Sequence, residues 1–152
     1  MSDALAGIDS YLTTTPTLAM IERLERVLLA ATHAHVDVPV EDIFAPGIYC
    51  RKAYIPAGTV LTGKIHLTEH ANIAVGDITV WTEQGMRRIT GVETLVSLPG
   101  CKRVGYAHAP TVWITVHPNP DDCRDVDVLA ARLVLEPLRM LNQPVLDLLE
   151  AA

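Results

Sequence analysis

Four of the six histidines, His66, His70, His108 and His117, lie between positions 66 and 117. The densest group of chemically capable side chains is Lys64-Ile65-His66-Leu67-Thr68-Glu69-His70. Neutral imidazole is a common ligand for zinc, iron, nickel and copper, and a carboxylate often completes such a site. On an extended strand, Lys64 and His66 share a face because side chains alternate. A turn after His66 then lets His70 fold back beside it. Two chemistries follow. In one, His66, His70 and His108, with or without Glu69, hold a divalent Fe, Zn, Ni or Mn ion. Three protein ligands and one open position suit catalysis. His117, at the end of the last strand of the region, is the other candidate for third ligand. In the second chemistry no metal is present. Lys64 and Arg103 then bind a carboxylate or phosphate, and His66 and His70 supply hydrogen bonds or acid–base function. Arginine suits two-pronged anion contacts, and a buried lysine needs a counter-charge. Tyr106 lies close enough in sequence to be a ligand contact, although packing is its plainer role. A metal beside Lys64 and Arg103 is costly unless Glu69 or an anionic ligand compensates.

Other candidates have blander readings. His33-Ala34-His35 follows a helical pattern, where imidazoles suit the negative end of the helix dipole. Arg87-Arg88 reads as a solvated hairpin face. Cys50, Cys101 and Cys123 form no CxxC pair, which disfavours a cysteine zinc site. Neither GxSxG nor GxxxxGK[ST] occurs, so serine-elbow hydrolases and P-loop proteins lack support.

Three stretches must position these residues. Residues 1–46 read as mostly helical. Thr15 and Pro16 make a helix start, and Leu18, Ile21, Leu24, Leu28 and Ala31 recur along one face. A weaker helix fits residues 3–11. Residues 47–118 alternate short apolar runs with turn signals. Residues 59–66 read as one strand rich in β-branched side chains, and Ile78-Thr79-Val80-Trp81-Thr82 alternates with period two. Glu83-Gln84-Gly85 makes a hairpin turn. Seven or eight short strands at about ten-residue spacing point to a β-sandwich or jelly roll. Residues 119–152 read as a helical tail, with a helix over residues 125–135 and short turns over 138–149 between Pro137 and the terminus.

The 152 residues are 49% hydrophobic and 20% charged, which fits one compact domain. A net charge of −6 disfavours nucleic acid as the main partner. No apolar run approaches the roughly 20 residues of a membrane span. The first residues lack a secretory signal pattern, and with three scattered cysteines a reducing cytoplasm is the expected compartment. The amphipathic helix and apolar tail, both outside the strands, predict a homodimer.

Three segments together resemble the cupin superfamily. Pro56-Ala57-Gly58-Thr59-Val60, the histidine cluster and Gly76-Asp77-Ile78-Thr79-Val80 are similar to the first cupin motif. Leu98-Pro99-Gly100-Cys101-Lys102-Arg103 is similar to the second. The resemblance covers residues 48–118, and small phage-encoded proteins share the general pattern. In the family, the first motif carries two histidines separated by one residue and then a glutamate. The second motif ends in a histidine. Those positions fall here on Lys64, His66, His70 and Arg103, with Glu69 one residue out of place. The resemblance implies a cupin-type double-stranded β-helix, a jelly roll with N- and C-terminal helices, whose site sits at one open end. It implies a small-molecule-binding protein, with metal-dependent chemistry on a small anionic substrate and no organic cofactor. Isomerisation, lyase chemistry and oxygen-dependent oxidation all fit. The alternative is a metal-free scaffold working as an oligomeric interaction or regulatory protein.

Overall fold

Thr17 opens the first helix by accepting a hydrogen bond from the Met20 amide, so the helix α1 (Leu18–Ala30) starts slightly later than the Thr15-Pro16 signal suggests. The computed structural model describes residues 17–82 and 85–135. The helix expected over residues 3–11, the turn at 83–84 and the turns over 138–149 lie outside the described residues. Ile21 and Leu24 of α1 are buried against Trp81 and Val104 of the barrel, with Leu28, Val60 and Tyr106 alongside. The apolar stripe that predicts a dimer is therefore largely covered by this chain itself. Beyond a short 3-10 turn (Thr32–Ala34), His35 Nε2 sits 2.9 Å from the Leu28 carbonyl. It thus serves the helix end.

Strands follow in the order β1 (Val40–Ala45), β2 (Ile48–Ile55), β3 (Val60–Thr62), β4 (Ile65–His66) and β5 (His70–Thr82). Then come β6 (Gly85–Ser97), β7 (Val104–Ala107) and β8 (Thr111–Pro118). A second helix α2 (Val126–Leu133) leads into β9 (Val134–Leu135). Strand β1 falls in the stretch read as helical from sequence. Val40-Glu41-Asp42-Ile43-Phe44-Ala45 lacks a helical stripe, and Pro46-Gly47 turns it into an antiparallel hairpin with β2. The single strand expected over residues 59–66 is instead broken at Gly63 and Lys64. Its first half pairs with β7, and its second half pairs with β9.

The main sheet runs β1-β2-β8-β5-β7-β3, with β6 on the other side of β5. Strand β5 switches partner along its length. Ala71–Val75 pair with β8, whereas Ile78–Trp81 pair with β7. The switch occurs at Gly76, whose φ is +145°. A Cβ there would meet Thr111 Oγ1 at 2.6 Å and the Pro110 carbonyl oxygen at 2.8 Å, so only glycine fits. Gly91, with φ +82°, lies opposite it on β6, so the sheet folds over at this pair. Ile55, Ala74, Ile78, Val80, Ile89, Leu95 and Ala107 form the core inside the fold.

The two ends of the chain's described part close the barrel. Asp125 caps α2 by accepting from the Asp127 and Val128 amides. Leu129 and Leu133 then bury against Tyr49, and β9 lays Val134 opposite His66. On the other side, Lys102 Nζ and Glu25 Oε2 form a buried ion pair at 2.6 Å, tying α1 to the loop before β7. Among the described residues no helix is long and apolar enough to cross a membrane, and no disulfide joins Cys50, Cys101 and Cys123.

Candidate metal and ligand site

Three strands lay their inward-facing residues side by side in layers. Tyr49 of β2 lies opposite His117 of β8 in register. His70, the first residue of β5, lies opposite Ser97 of β6. One layer deeper, Thr115 faces both Arg51 and Asn72. The next layer places Trp113 between Ala53 and Ala74. The inner wall thus grades from histidine through polar to apolar over four residues of each strand.

At the histidine end, His66, His70 and His117 converge. The His66 and His70 rings stack with centroids 4.0 Å apart. The His117 ring lies 5.2 Å from His66 and 4.8 Å from His70. One nitrogen from each ring falls in a group no more than 4.8 Å across. Strand β4 presents His66 because β9 and the Leu67–Leu133 backbone bond pin it. The turn through Thr68 presents His70, whose Nδ1 lies 3.0 Å from the Thr68 carbonyl oxygen. A carbonyl only accepts, so Nδ1 carries the proton and Nε2 keeps its lone pair. His117 stacks on Tyr49, whose hydroxyl donates to Asp42 at 2.6 Å.

Burial pushes His66 down to about 3, helped by the charges of His70, His117 and Arg103. Burial likewise pushes His117 down to about 4, with the His70 charge adding to it. Burial lowers His70 as well, and Arg103 adds to this against hydrogen bonds to Thr68 and Asn72. All three rings are therefore neutral near pH 7, the form that binds metal. His66 Nδ1 and His117 Nδ1 are buried and have no hydrogen-bond partner among the described residues. Buried polar atoms without partners are uncommon and costly. Three neutral imidazoles, two of which carry an orphaned nitrogen, fit a divalent metal.

The cavity beyond this end has a volume of about 410 Å³. Its cations are Arg51, Lys64 and Arg103, and among the described residues no Asp or Glu lines it. Arg103 Nε is buried there without a partner. Asn72 accepts from Trp113 Nε1 at 3.1 Å and donates to Ser97 Oγ at 2.6 Å, holding the polar layer in place. Tyr49 is held protonated, pushed up to about 12 by burial and then by its bond to Asp42.

The structure brings together His66, His70, Lys64 and Arg103 from the sequence-derived set, Lys64 standing at the exposed rim. It does not bring in the others. Glu69 is exposed and outside both the histidine group and the cavity lining. His108 is exposed, lies 2.7 Å from Thr79 Oγ1 through Nε2, and meets Tyr106 edge-on. Strand alternation explains this: Ile78 and Val80 point inward, so Thr79 and its neighbours on β7 point out. Tyr106, opposite Thr79 in register, packs under α1 instead of lining the cavity. His117 occupies the third corner. Sequence reasoning passed over Tyr49, Arg51, Asn72, Ser97 and Thr115. Period-two spacing along 49–55 and 113–117 was the available signal.

No family model matches the sequence, and no curated protein matches it. Solved structures do. Salicylate 1,2-dioxygenase from Pseudoaminobacter salicylatoxidans, determined as adducts with gentisate, superposes with a TM-score of 0.50 at 11% identity. That match covers 74% of this chain and 34% of the dioxygenase. The chain has a cupin fold. KdgF from Halomonas sp. matches this chain with a TM-score of 0.43 at 20% identity, covering 60% of this chain and 93% of its own. A cupin domain from Bordetella pertussis Tohama I matches with a TM-score of 0.42 at 12% identity, over 54% and 93% of the two chains. At such identities the likeness is one of fold, and the chemistry of this chain has to be argued from its own side chains.

Proposed function

We propose that this cupin is a small-molecule-binding protein that holds a divalent metal on His66, His70 and His117 and takes a small anionic ligand beside it. The observation that carries this reading is the convergence of three neutral imidazoles, two with orphaned buried nitrogens, on a cavity that no carboxylate of the described residues lines. Three neutral ligands leave the full charge of a divalent ion uncompensated, and Arg103 adds to it. A bound anion supplies the missing negative charge. The metal would act as a Lewis acid on a coordinated oxygen or lower the pKa of a bound water. Arg103 would orient the anion, and Tyr49, protonated at neutral pH, would keep the His117 ring in place. The metal-free scaffold reading is disfavoured, since it leaves two buried imidazole nitrogens without a use. A reducing cytoplasmic setting and a homodimer remain parts of the proposal that rest on sequence alone.

Elemental analysis of untagged protein tests the metal. The expected result is near one equivalent of metal per chain after incubation with Fe, Zn, Ni or Mn. His66→Ala, His70→Ala and His117→Ala should lose it, whereas His108→Ala and Glu69→Ala should retain it. No stoichiometric metal under any of the four conditions, or full retention by His117→Ala, would overturn the reading.

A further inference from the structure

The cavity is chemically two-ended, and this limits what fits it. Of the cavity's cations, Arg103 stands in the loop before β7 beside the histidine end, Arg51 lies one layer deeper on β2, and Lys64 is at the exposed rim. Its far end is built from Ala53 and Ile55 of β2, Ile78 and Val80 of β5, Leu61 of β3 and the Trp113 ring of β8. Those residues belong to or pack on the central core, where water finds no hydrogen-bond partners. A fully hydrated dianion or polyol would lose hydration against that wall without recompense. A neutral hydrocarbon would leave Arg103 Nε buried and unpaired, as it is without a ligand. A molecule with one anionic head and an apolar body satisfies both ends.

We infer that the ligand of this cavity is an amphiphilic monocarboxylate, its head on Arg103 beside the histidine layer and its body against Ile55, Ile78, Val80 and Trp113. The inference rests on the proposed anion-binding site and sharpens it to a chemical class. Carboxylate is favoured as the head because the planar guanidinium pairs with it through two parallel N–H···O bonds. The middle layer of Arg51, Thr115 and Asn72 lies between head and body, so a short polar substituent near the head would also be accommodated.

Isothermal titration of the full chain with acetate, butyrate, hexanoate, succinate and hexanol tests this, once in EDTA and once after metal loading. Burying one methylene tightens binding about fourfold, so hexanoate should bind roughly 15-fold more tightly than butyrate. Succinate and hexanol should each bind at least tenfold more weakly than hexanoate. Arg103→Gln should weaken hexanoate at least tenfold and leave hexanol unchanged. Val80→Thr should flatten the chain-length series while keeping acetate binding, and circular dichroism of both variants checks that they fold. Equal affinity for acetate and hexanoate, preference for succinate, or hexanoate binding indifferent to Arg103→Gln would each overturn the inference. Failure of the metal reading looks different: the chain-length series would persist in both titrations while elemental analysis finds no metal. Stoichiometric metal with a flat series would sink the ligand class alone.

Discussion

The three clustered imidazoles, His70 and His117 buried and His66 half-buried, make the metal-free protein sensitive to mild acid, and the size of the effect follows from their environment. An unfolded histidine titrates near 6.5, whereas folded His66 and His117 titrate at about 3 and about 4. Their depressed values mean that the unfolded chain binds protons the native state refuses. Stability is thus fully present above pH 6.5 and falls as pH drops towards the folded values. Between pH 7 and pH 5 each such ring costs the native state about 1.9 kcal/mol, from the protonation of its unfolded form alone. Water entering the open cavity moderates the shifts, so the pair amounts to about 3 kcal/mol. With a urea slope of roughly 1.5 kcal/mol per molar, the midpoint should fall by about 2 M. The ion-paired carboxylates Glu41, Asp77 and Asp121 do not compete in this window. Their partners Lys52, Arg88 and Arg132 hold them below the usual carboxylate range. Urea unfolding followed by circular dichroism in EDTA at pH 7, 6 and 5 measures the effect. The combined His66→Gln, His70→Gln, His117→Gln variant should lose less than about 1 kcal/mol over the same range. If it loses as much as the native sequence, the histidine layer is not the acid-sensitive element and the argument fails.

Two further perturbations test how the fold holds the site. Gly76→Ala places a Cβ against the Pro110 carbonyl and Thr111 Cα at a φ of +145°, so thermal unfolding should report a loss of about 3 kcal/mol. Loss of less than 1 kcal/mol would mean that the β5 bend relaxes easily. Glu25→Gln strands the buried Lys102 ammonium and should cost about 3 kcal/mol, while Glu25→Gln with Lys102→Met should recover most of it, measured by urea denaturation. Equal losses in the two variants would show that Lys102 finds another partner.

Much of the β architecture is written in local sequence, and most of the site is not. Period-two runs such as Ile78–Thr82 declare strands, and the turn at Pro99-Gly100 declares a loop. The β1 strand is too short for its own periodicity to outweigh the helix before it; its pairing with β2 fixes it. His66 and His70 are close in sequence, so one turn suffices to bring them together. His117 joins them because β8 lies between β2 and β5, and this non-local order leaves no spacing motif. His108 looks equally eligible in sequence, yet it sits on a connection after β7 whose neighbours face outward. Tyr106 shares that outward face, which α1 covers.

The departure from the cupin pattern carries its own logic. Where the resemblance to the second cupin motif leads one to expect histidine, this chain has Arg103, and where the first motif has its first histidine it has Lys64. Substituting two cations for two ligands would simply abolish a metal site if nothing else changed. Under the proposed function the donors are His66, His70 and His117, the last supplied by the end of β8 one layer from Arg51 and Thr115. Drawing the third donor from β8 frees the second-motif turn to carry a guanidinium. Under the proposed function, one barrel end then holds both a Lewis acid and an anchor for a carboxylate. The absence of a cavity carboxylate among the described residues becomes a requirement of this arrangement, since an internal Asp or Glu would neutralise Arg103 and compete with the ligand for the metal.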